Sequence, residues 1–62
     1  MKNLNIETLD KISTLCRYLH HNCCDFTYAD RHGFIIPEIA QKEKLQEIKD
    51  FGTKIKQLID EL

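Results

Sequence analysis

The sequence predicts a mainly α protein: two amphipathic helices joined by a short β-hairpin or structured turn, as an αββα unit or an αα-hairpin. Leu45, Ile48, Gly52, Ile55, Ile59 and Leu62 alternate steps of three and four residues. That is the rhythm of a helix pressing one seam against another helix. An earlier stretch repeats it in Ile6, Leu9, Ile12, Cys16, Leu19 and Cys23. Size adds a constraint. The 62 residues make a single domain, and a chain this short buries only about 60% of the surface its unfolded form exposes. Oligomerisation is the expected remedy, with further copies or a larger partner completing the core.

The first helix is predicted over about residues 5–23. Asn5 suits the N-cap, and Glu7 places an acid in the first turn, where the helix dipole favours it. Leu15 and His20 flank the apolar stripe, while Leu4 and Tyr18 point elsewhere. Over about residues 25–36 the helical period breaks. Phe26 and Tyr28 alternate, as do Phe34 and Ile36, around Ala29-Asp30-Arg31-His32-Gly33. This predicts a short β-hairpin, with an irregular connector as the alternative.

The second helix is predicted over about residues 37–62, with Pro37 at the first helical position. Gly52 is its weak point, at about 1 kcal/mol against alanine. The seam stays in phase across Gly52, which predicts one continuous helix and a close approach of another backbone there. Phe51 and Leu58 widen the seam on one side, as suits a bundle. Lys42, Lys49 and Lys56 recur along one flank, and Glu43, Glu47, Asp50 and Glu61 gather on the other. These flanks either select a partner and its direction or form a solvated edge whose lysine stems cover the seam.

The formal net charge is −1, with acids and bases interspersed. Nothing in this balance pulls the chain toward nucleic acid or an anionic membrane. Arg17, Arg31 and the three seam lysines could touch phosphates, as in a small dimeric regulator, but no segment concentrates positive charge. No apolar run has the length of a membrane span. Met1-Lys2-Asn3 does not open a signal peptide, and three cysteines are an odd number. The expected setting is therefore a reducing cytoplasm rather than that of a secreted disulfide scaffold.

Cys16, His20, Cys23 and Cys24, with His32 from the turn, are the candidate metal ligands, since thiolate and imidazole suit zinc. The paired knuckles of a zinc finger are missing. The stripe predicts instead that Cys16 and Cys23 are buried small hydrophobes and that Cys24 is more exposed. Cys23 and Cys24 are neighbours, a strained arrangement for a disulfide. A Cys16–His20 nucleophile would need an orienting group and a pocket, and so small a chain has little volume for one. Asp50-Phe51-Gly52 matches a kinase tripeptide without a kinase around it. The expectation is a non-enzymatic protein–protein interaction module without a cofactor. Its size suits an antitoxin-like or phage-type regulator or inhibitor that occludes another macromolecule. The alternatives are a nucleic-acid-binding regulator and a metal-binding protein.

Overall fold

The computed structural model describes residues 4–62; Met1-Lys2-Asn3 lies outside them. Two α-helices, α1 (Ile6–His32) and α2 (Glu38–Asp60), pack antiparallel as a hairpin. Asn5 caps α1, its side-chain oxygen accepting from the Thr8 N–H at 3.0 Å.

The β-hairpin predicted for residues 25–36 is not formed; no strand occurs among the described residues. Instead α1 continues nine residues past its expected end at 23, to His32. No glycine or proline interrupts residues 24–32, and Phe26 and Ala29 extend a three-four rhythm inherited from Leu19 and Asn22. The alternation of Phe26 with Tyr28 was therefore half of a helical pattern. The stop is chemical. Gly33 sits at φ 70°, in the left-handed region. From there its N–H donates to the Asp30 carbonyl at 3.4 Å, and the Phe34 N–H donates to the Ala29 carbonyl at 2.8 Å. This double bond pattern is a Schellman cap, which satisfies carbonyls the helix leaves open. Tyr28 and Phe34 meet across it, ring centroids 5.9 Å apart, the apolar contact that accompanies such caps. Four residues, 34–37, then connect to α2. Pro37 caps α2 rather than opening its first turn: its ψ of 145° is not helical, and its carbonyl accepts from the Gln41 N–H at 2.9 Å.

The face of α1 that meets α2 is Thr8, Ile12, Leu15, Leu19, Asn22, Phe26 and Ala29, in alternating steps of four and three. Thr8 and Ala29 are buried and the rest half-buried. On α2, Ala40, Lys44, Ile48, Phe51, Ile55 and Leu58 are the half-buried positions. The stripe expected on α1 is thus corrected. Ile12 and Leu19 belong to both patterns, but Leu15, Asn22 and Phe26 take the packed side. Cys16 and Cys23 are exposed and Cys24 is half-buried, the reverse of the expected order. Two three-four registers share Ile12 and Leu19, and the packed one carries Leu15 and Phe26.

The α2 seam divides as well. Ile48, Phe51, Ile55 and Leu58 lie toward α1, while Leu45, Gly52, Ile59 and Leu62 are exposed. α2 is continuous through Gly52. A Cβ built there would meet nothing within 4 Å, so α1 does not make the close approach expected at this glycine. The hairpin measures 49 × 19 × 11 Å, one helix thick in its shortest direction.

The two glycines respond oppositely to a methyl group. Gly33→Ala forces an L-residue into the left-handed region and is expected to destabilise the fold by about 1–2 kcal/mol. Gly52→Ala meets no obstacle within the chain and is expected to stabilise α2 by up to about 1 kcal/mol in dilute solution. Chemical-denaturation midpoints of the two variants beside the parent check both signs.

Candidate interaction site

A polar layer crosses the helix pair. Asn22 and Lys44 occupy inner-face positions where apolar residues would otherwise stand. The Asn22 amide donates to Glu47 Oε2 at 3.0 Å, and Lys44 Nζ pairs with Asp25 Oδ2 at 2.7 Å. The hydrogen bond to Asp25 raises the Lys44 ammonium above its ordinary lysine value, against a smaller desolvation effect. Glu47 was legible only as part of an acidic flank, and Asp25 only as the start of a hairpin. The available signal was the polar interruption of both stripes at Asn22 and Lys44.

This layer also separates the two flanks of the hairpin. Asp25 and Glu47 mark one of them. Tyr18 lies there too, its ring 6.0 Å from that of Phe51. In an antiparallel pair with a repeat of 3.5 residues, the opposite flank collects Leu9, Cys16 and Cys23 from α1 and Leu45, Gly52 and Ile59 from α2. All six are exposed. By the same repeat Leu9 falls level with Ile59, Cys16 with Gly52, and Cys23 with Leu45. Large apolar groups stand at the ends of this surface and the smallest pair at its middle. Along the outer edge on α2 run Lys42, Lys49 and Lys56. The outer edge on α1 carries Ser13, His20 and Thr27, with no lysine, arginine or carboxylate.

A second apolar surface caps the closed end. Ile35 is 91% exposed, Ile39 74% and Phe34 61%. Tyr28 and His32 complete an aromatic cluster with Phe34, Tyr28 to His32 at 4.2 Å and His32 to Phe34 at 6.0 Å between ring centroids. Sequence reading treated Phe34 and Ile36 as strand residues and so missed this end. The exposed Ile35, set between the helix stop at Gly33 and the helix start at Pro37, was the usable signal.

The candidate metal ligands are dispersed. His20 Nε2 lies 3.4 Å from Cys24 Sγ, one turn along α1. Cys16 and Cys23 face the apolar flank. His32 joins the aromatic stack at the closed end. No three His, Cys, Asp or Glu residues gather for a metal ion among the described residues. The Cys16–His20 dyad considered from sequence is replaced by the Cys24–His20 contact. No helix among the described residues is long and apolar enough to cross a membrane. Comparison with protein-family models, with curated proteins and with solved structures finds no match.

Two outcomes follow from this geometry. In dilute solution, alkylation of the native chain is expected to modify Cys16 and Cys23 ahead of Cys24, read by mass spectrometry of the labelled peptides. The Lys44–Asp25 pair gives a pH signature. Because the folded-state value of Lys44 is raised, its contribution is complete below the ordinary lysine range and is lost as pH climbs through the raised value. The difference in thermal midpoint between the parent and Asp25→Asn is therefore expected to be steady through neutral pH and to shrink at strongly alkaline pH.

Proposed function

We propose that this chain is a non-enzymatic binding module, a small regulator or inhibitor that acts by covering a surface of another protein. The observation that carries this is the closed end of the hairpin, where Ile35, Ile39 and Phe34 project into solvent. Isolated exposed apolar residues are ordinary, but a contiguous cluster marks an interaction surface. The cluster is held by a capped turn, so it meets a partner's apolar surface without first being ordered. Its central side chain has the position of an anchor, and anchors dominate interface energetics. The row of Lys42, Lys49 and Lys56 is the feature a nucleic-acid reading would use. It is thinned by Glu38, whose carboxylate lies 3.7 Å from Lys42 Nζ.

Affinity capture from extract of the producing cell, using the parent chain and Ile35→Asp, tests the proposal. The expected result is a protein held by the parent and lost from the variant, with the helical circular dichroism of the variant unchanged. Titration of that protein is expected to show a loss of about 2 kcal/mol or more for Ile35→Asp, the scale of an anchor residue. Equal capture by both chains overturns the role of the closed end.

A further inference from the structure

We propose that the apolar flank of the hairpin docks on the same flank of a second copy of this chain. The product is an all-antiparallel four-helix bundle in which α1 of each copy lies on α2 of the other. This goes beyond the binding proposal above, since it uses a different surface and names its occupant.

Area is the first argument. A compact chain of 7.3 kDa exposes about 4,200 Å². This chain exposes 5297 Å². The excess is about 1,100 Å², a little more than the roughly 800 Å² that each partner gives to a standard interface. The hairpin is also one helix layer thick, whereas stable domains stack at least two layers. A second hairpin supplies the missing layer.

Shape and charge then select the arrangement. A two-fold axis running parallel to the helices keeps every layer at its own height. Leu9 meets the partner's Ile59, Cys23 meets the partner's Leu45, and Cys16 enters the space above the partner's Gly52. Nothing lies within 4 Å of a Cβ at Gly52 in the single chain, so the space is there to be filled. In this arrangement Lys42, Lys49 and Lys56 lie over the partner's uncharged α1 edge. The other in-plane two-fold, perpendicular to the helices, stacks α2 on α2 and sets the lysine row against its own copy. Like charges facing each other suppress that pairing. The docked copies also bury Cys16 and Cys23, which accounts for apolar-spaced thiols left outside the single hairpin.

Sedimentation equilibrium of the full chain in reducing buffer, from low-micromolar to submillimolar concentration, is the test. The expected result is a reversible dimer, at twice 7.3 kDa, at the high end. Cys16→Glu is expected to give a monomer with unchanged helicity. Thr14→Glu, outside this flank, is expected to remain dimeric. Gly52→Cys, oxidised with copper phenanthroline, is expected to form a covalent dimer linking the introduced thiol to the partner's Cys16. A parent that is monomeric throughout overturns the inference, as does a dimer that survives Cys16→Glu. A link between the two Cys16 residues overturns the arrangement. The binding proposal is judged separately, by Ile35→Asp at the closed end, which the dimer leaves free. A monomer that still loses its partner through Ile35→Asp sinks only the dimer.

Discussion

The register of α1 against α2 is the constraint on which the rest of the structure depends, and the polar layer marks it. In the observed alignment Asn22 pairs with Glu47 and Asp25 with Lys44. A slip of one heptad in one direction sets Lys44 beside Tyr18 and Asn22 beside Ala40, and both cross-helix pairs are lost. Apolar seams alone tolerate such slips, because one leucine layer resembles the next. A polar layer at inner positions trades some stability for a single alignment. That alignment is what brings Cys16 level with Gly52 and Leu9 level with Ile59. The outer flank is thus composed by interactions made on the other side of the helix pair.

The existence of two helices was legible because their apolar spacing is strong, and the N-terminal boundary at Asn5 because capping is local chemistry. The division of each seam was not. Ile48 and Ile55 lie toward α1 while Leu45, Gly52 and Ile59 lie outside, yet all five belong to one sequence stripe. A broad apolar stripe reports everything a helix is able to bury, without separating what the chain buries itself from what stays in solvent. The same ambiguity misplaced Cys16 and Cys23. The false hairpin had another origin. Phe26, Tyr28, Phe34 and Ile36 satisfy a period of two only when Phe26 is detached from Leu19 and Asn22, and four residues are too few for the shorter period to outweigh the longer one.

The small core gives the flanks their importance. Only Ala29 and Thr8 are buried among the described residues, so the hairpin holds its shape through long half-buried contacts and well-made ends rather than an interior. The first end is closed by Asn5, and the turn is closed by the Gly33 cap and the Gln41 contacts, whose side chain donates to the Ile36 carbonyl at 2.7 Å. These local bonds hold the closed end and its exposed isoleucines in one shape.

The four-residue connection also decides what kind of exchange two copies are able to make. Helical hairpins are prone to open and trade arms, each α2 folding onto a neighbour's α1, when the connector straightens into helix. Here that continuation would run through Gly33 and Pro37. The Pro37 ring would strike the Gly33 carbonyl four residues back and leave it without a donor, at about 3 kcal/mol or more. The left-handed glycine and the proline together bar the route in which the connector straightens into one continuous helix. Gly33 and Pro37 thus break the helical path between α1 and α2 at two separate points.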